Sequence, residues 1–163
     1  MNTHATAHAA SSKNAKSTYK NSKGETVQIY TYSLNSQKQA TITGYKGNAS
    51  TIVIPSTIDG YDVVAIGSSA FKNNTKIRTV KISEGIKTIG SSAFYGCKNL
   101  SIILFPDTLT TIDNDAFYNC TSLTEFVLPP YIEYIGKTIL SGNSKIKEIF
   151  IPKTITTMSY QSS

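Results

Sequence analysis

A solenoid of stacked coils, each contributing one short parallel strand, is the fold this sequence predicts. Three observations carry that expectation. The chain repeats with a strict 23-residue period, apolar residues recur in the same columns of every unit, and most units place a proline after a short alternating run. Repetition comes first in the reading because it sets the frame for every element.

Four units of equal length follow one another: "IGSSAFKNNTKIRTVKISEGIKT" (66–88), "IGSSAFYGCKNLSIILFPDTLTT" (89–111), "IDNDAFYNCTSLTEFVLPPYIEY" (112–134) and "IGKTILSGNSKIKEIFIPKTITT" (135–157). Met158 opens a fifth register. The leading column is Ile66, Ile89, Ile112 and Ile135, and the aromatic column is Phe71, Phe94, Phe117 and then Leu140. Further apolar columns begin at Ile77, Val80, Ile82 and Ile86. One coil cannot bury its own apolar side, so coils must stack and share a core.

The run Val80-Lys81-Ile82 and its equivalents alternate inward and outward and are rich in β-branched residues, which predicts one strand per unit. Pro106, Pro129 and Pro152 close the strand, where a missing N–H does least harm, and Ser83 takes that place in the first unit. Gly67, Gly90 and Gly136, with Asp113 in the third unit, predict a tight or left-handed turn. "SSAF" and "NDAF" predict a single helical turn capped by Ser or Asn.

Upstream, "STIVIPSTIDGYDVVAIG" (50–67) reads as a modified first coil whose extra residues around "DGYDV" form a bulge or hairpin. "VQIYTYSL" (27–34) and "KQATIT" (38–43) read as a hairpin capping the array. The expected organisation is a flexible tail over 1–25, a cap and modified coil over 26–65, and repeats over 66–163.

The runs "IRTVKI", "LSIILF", "LTEFVL" and "IKEIFI" resemble the L-x-x-L-x-L signature of leucine-rich repeats. "FPDTLTTIDNDAFYNCTSL" (105–123) is similar to the BspA-like group of that family: Pro after the strand, then Ile-Gly or its equivalent, then Ala-Phe-x-x-Cys. The Asn or Cys that follows the strand in most leucine-rich repeats is missing here. The resemblance implies a BspA-like leucine-rich repeat solenoid. It also implies a secreted or cell-surface setting, and a binding or adhesion role toward a protein, matrix or host-surface ligand.

Composition narrows the function classes. The net charge of +6 is concentrated in residues 1–24, where Lys13, Lys16, Lys20 and Lys23 meet no acid. The remainder is nearly balanced and Arg78 is the sole arginine, which argues against nucleic acid as partner. No apolar run long enough to span a membrane is present, and the N-terminus lacks the apolar segment of an intact signal peptide.

Cys97 and Cys120 share one column with Asn74 and Asn143. Buried thiols packed as small apolar groups, a disulfide between adjacent coils, and a catalytic or metal role all remain open for the pair. A nucleophile needs a base nearby, and the only histidines, His4 and His8, stand in the tail. No phosphate loop, carboxylate pair or metal-ligand set appears, so no catalytic residue, metal or cofactor is expected.

The outward strand positions are the most informative surface. One column reads Val53, Lys81, Leu104, Val127, Phe150, and the other Thr79, Ile102, Glu125, Glu148. Exposed apolar patches of this kind mark binding surfaces, although β-propensity or cover by a neighbouring chain also produces them. Lys81, Ile102, Leu104, Glu125, Val127, Glu148 and Phe150 are the candidate ligand-binding residues. The expected function is a non-enzymatic protein-binding or adhesion module. The alternative is a targeting or spacer module of a larger exported enzyme.

Overall fold

The computed structural model describes residues 16–20 and 22–155. The chain forms a β-solenoid whose coils coincide with the 23-residue units. Fourteen strands run in chain order among the described residues: β1 Thr18–Lys20, β2 Thr26–Gln28, β3 Tyr30–Leu34, β4 Ala40–Tyr45, β5 Thr51–Ile54, β6 Thr57–Ile58, β7 Tyr61–Ile66, β8 Thr79–Ile82, β9 Thr88–Ile89, β10 Ile102–Leu104, β11 Thr111–Ile112, β12 Glu125–Val127, β13 Tyr134–Ile135 and β14 Glu148–Phe150.

Two stacks of parallel strands build the coils. β5, β8 and β10 pair in parallel register, as do β12 and β14. On another side β7, β9, β11 and β13 pair in parallel, two residues from each coil after β7. Each coil therefore carries two strands where the sequence predicts one. The second is the β-branched Thr-Ile or Tyr-Ile pair just before the glycine column, too short to signal by alternation.

The "SSAF" segments differ from the expected helical turn. No helix occurs among the described residues. Each segment is a run of three i to i+3 turns: Ala70 N–H donates to the Gly67 carbonyl, Lys72 N–H to the Ser69 carbonyl and Asn74 N–H to the Phe71 carbonyl. The amides between them point to the next coil: Ser69, Phe71 and Asn73 donate to the carbonyls of Ser91, Ala93 and Tyr95. A helix would turn all these donors inward along its own axis, whereas stacking needs every second one for the neighbour.

Left-handed backbone falls in these turns and not at the predicted glycines. Ser69, Ser92, Asp115 and Thr138 have φ of 59°, 56°, 57° and 57°, and Asn73, Gly96, Asn119 and Gly142 form a second such column. These are third residues of their turns, the place where a type II turn requires positive φ. Gly67, Gly90 and Gly136 lack that conformation. They are small because coils approach closely there: a Cβ on Gly90 would lie 2.7 Å from the Ser68 nitrogen and 2.9 Å from the Gly67 carbonyl carbon.

The N-terminal cap is a sheet extension. β3 and β4 form an antiparallel hairpin, and β4 then pairs in parallel with β7, continuing the second stack over the first coil. The hairpin starts at Tyr30 and not at residue 27. Thr26–Gln28 instead pairs with Thr18–Lys20, inside the segment expected as a tail. Residues 1–15 of that tail, and Met158 with the fifth register, lie outside the described residues. The extra residues of the first coil form the hairpin β6–β7. Its central residues Asp59 and Gly60 both have positive φ, at 48° and 89°, as a two-residue hairpin turn demands.

Inside, the columns stack as the period predicts. Phe71, Phe94 and Phe117 form a continuous ring stack, with centroids 4.9 and 5.2 Å apart and planes within 6° of parallel. Phe105 and Phe126 meet Phe117 edge-on. Burial of each such ring contributes on the order of 2–3 kcal/mol.

Candidate functional site

Alternation along the strands sorts inward from outward side chains. In β10 and β12 the central residues Ile103 and Phe126 are buried and their flanks are exposed. The pleat therefore presents Ile102, Leu104, Glu125 and Val127 to solvent. Parallel register then aligns the rows. Leu104 lies beside Lys81, Ile102 beside Thr79, Val127 beside Phe150, and Glu125 beside Glu148. All seven candidate residues stand on one face, and all seven are exposed.

Four of them are large and apolar. Ile102, Leu104, Val127 and Phe150 are each between 46% and 51% exposed, where the inward residues of the same strands are mostly covered. Charge is unevenly spread over this face. Lys81 stands at one end, and Glu125 with Glu148 at the other.

Two features of the face were not legible as motifs. The strand ladder is interrupted between β10 and β12, which belong to separate hydrogen-bonded sheets. A groove of about 290 Å³ opens at the interruption, with Leu104 and Val127 as walls and Asp107 and Glu125 among its lining. A second groove of about 380 Å³ lies beside Lys81 and reaches Ser56, Ser83 and Glu84. Ser83 is 8% exposed and its hydroxyl has no hydrogen-bond partner. Its backbone explains why this unit lacks the proline: Ser83 N–H donates to the Ile54 carbonyl at 3.1 Å, a bond proline cannot make.

The cysteines lie elsewhere, in the core. Cys97 and Cys120 are fully buried and unbridged. Each thiol donates to a carbonyl of the preceding coil, Cys97 Sγ to Phe71 and Cys120 Sγ to Phe94, both at 3.1 Å. Asn143 continues the column, its Nδ2 donating to the Phe117 carbonyl at 2.9 Å. Three members of the column are thus donors, whereas Asn74 accepts at its Oδ1 from the Lys76 and Ile77 amides. Burial pushes the Cys97 thiol up to about 12, against a smaller opposing pull from the Asn74 backbone. Burial raises Cys120 as well. A reactive thiolate needs the opposite environment.

Among the described residues no group of three or more His, Cys, Asp or Glu side chains is placed to hold a metal ion. Nor is there, among the described residues, a helix long and apolar enough to cross a membrane. Of the four Asn-x-Ser/Thr sequences, at Asn48, Asn73, Asn99 and Asn119, Asn99 Nδ2 donates to the Thr75 carbonyl, Asn48 Oδ1 accepts from the Lys76 ammonium, and Asn73 and Asn119 occupy left-handed turn positions.

Comparison with known proteins agrees with this architecture. The chain is similar to a leucine-rich repeat protein of T. pallidum, with 30% identity and a TM-score of 0.76 over 80% of this chain. It spans 61% of that protein's length. A leucine-rich repeat protein from Bacteroides capillosus shares 25% identity and a TM-score of 0.69, covering 82% of this chain and 97% of that one. A leucine rich cell surface protein from Faecalibacterium prausnitzii shares 25% identity and a TM-score of 0.60, covering 85% of this chain and 44% of that one. No functionally curated protein is significantly similar. The family model for the BspA type leucine rich repeat region matches residues 44–162 in six copies, and the chain belongs to that family.

Proposed function

We propose that this chain is a non-enzymatic protein-binding module of a secreted or cell-surface protein, with adhesion to a protein or matrix ligand as its role. The observation that carries this reading is the patch of half-exposed Ile102, Leu104, Val127 and Phe150 on the outward strand face. Apolar side chains held in register on stacked strands keep their arrangement when exposed, so little ordering entropy opposes binding there. The solenoid supplies a broad stiff surface of the kind repeat proteins use for recognition. The similar protein described as a cell surface protein supports the location.

The test is adhesion of the purified chain to immobilised extracellular-matrix proteins and to host-cell surfaces. Leu104→Lys combined with Phe150→Lys is expected to remove most of the binding while leaving the thermal unfolding midpoint near that of the parent. Binding that persists unchanged in the double variant overturns the reading.

A further inference from the structure

Across the outward face the chemistry changes from Lys81 on β8, through Ile102 and Leu104 on β10, to Glu125 and Glu148 on β12 and β14, with one groove beside Lys81 and another between β10 and β12. We propose that the ligand is an extended polypeptide segment in which an acidic and a basic residue stand four apart, with an aliphatic or aromatic residue midway. This rests on the reading of the strand face as the binding face.

At the cationic end, Lys81 is exposed beside the groove that reaches Ser83. The Ser83 hydroxyl is buried without a partner, so the ligand contact at this end falls to Lys81. Glu84 lines the same groove, but its carboxylate accepts from the amides of Asp107 and Thr108. The exposed Lys81 ammonium suits a carboxylate.

The anionic end has the reverse character. The groove at the β10–β12 interruption has apolar walls, Leu104 and Val127, with Asp107 and Glu125 also lining it. Lysine and arginine combine an aliphatic stem with a charged tip, and such a groove receives both parts. Glu148 stands directly beside Glu125 on the adjacent strand. Like charges so placed repel, and a cation bound between them relieves the repulsion.

Spacing links the two ends. Glu125 stands two strands away from Lys81 and two residues back along the strand, which at about 4.8 Å per strand and 3.3 Å per residue is roughly 12 Å; residues i and i+4 of an extended chain are about 13 Å apart on the same side. Residue i+2 then faces Leu104, the apolar residue between.

The test uses fluorescein-labelled synthetic peptides with a Glu-Thr-Val-Thr-Lys centre, its reverse order, and a Gln-Thr-Val-Thr-Gln control, titrated with the whole chain by fluorescence anisotropy. At least one charged peptide is expected to bind about fivefold or more tightly than the neutral control, the effect of a few exposed ion pairs. Glu125→Gln with Glu148→Gln, and separately Lys81→Gln, should shrink that preference. Equal binding of charged and neutral peptides, or no binding of a charged peptide at roughly 1 mM chain, overturns the inference. If all peptides bind alike and Leu104→Lys with Phe150→Lys abolishes it, the charge pattern falls and the binding face stands. Binding that this double variant leaves untouched removes both.

Discussion

Cys97 and Cys120 show how a side chain's role follows from its neighbours. In sequence each follows two aromatic residues, and Cys97 also a glycine, a setting open to reactive chemistry. In the fold each is sealed in the core and spends its proton on a carbonyl of the preceding coil. Asn143 does the same with an amide, which is why it can stand where Cys97 and Cys120 stand in their coils. Native protein should therefore react with a thiol reagent at pH 8 at a small fraction of the rate seen in guanidinium, as followed by absorbance. Fast native labelling would contradict the burial. Asp59 gives a second prediction at this scale. Burial of its carboxyl opposes ionisation, but hydrogen bonds from the Ser17 hydroxyl and amide, then from Tyr32, and the charge of Lys16 outweigh it and hold the group below its ordinary value. A depressed folded value means that the contact is fully stabilising above the unfolded carboxylate range and is lost as pH falls through the folded value. The Ser17 amide should exchange faster with solvent as pH drops through the acid range, after correction for intrinsic rates, and Asp59→Asn should flatten that dependence.

The elements are held by inter-coil hydrogen bonds, and the glycine column shows what those bonds cost in space. Gly90 meets backbone, not a movable side chain, so a Cβ cannot be accommodated by a rotamer change. Gly90→Ala should lower stability by about 1–3 kcal/mol, read from the urea midpoint. A neutral result would mean that the coils can part locally. The columns of strands, the inward residues and the outward face were legible in the sequence because stacking forces equivalent residues into equivalent places. The Asp-Gly hairpin in the first coil was legible for a local reason, since few residues adopt two successive positive φ values. The turn type was not. "SSAF" has the composition of a helix start, and only the demand of the next coil for every second amide selects turns instead. The β1–β2 pairing was hidden in a Lys- and Ser-rich stretch with no apolar alternation. The interruption between β10 and β12, and with it one groove of the candidate site, was also invisible: both units carry well-formed strand patterns.

At the scale of the whole molecule, stability is a sum over neighbouring coils, so it should vary along the axis. The inward residues of β8, β10 and β12 are buried, whereas Ile149 and Ile151 of the β14 coil are 52% and 56% exposed. Amide exchange should accordingly be slowest around Val80 and Ile103 and faster by about tenfold or more around Ile149, as a local opening lower by ~1.4 kcal/mol would give. Uniform protection along the array would show a single cooperative unit. The repeat period alone dictated the coil length, the identity of the core columns and the two outward rows, because burial in a stacked array allows no other phase. Only the folded chain settled which amides serve the turn and which serve the next coil, which thiol meets which carbonyl, and where the strand ladder breaks. Those outcomes depend on distances between coils, and a one-dimensional pattern carries periods but not separations.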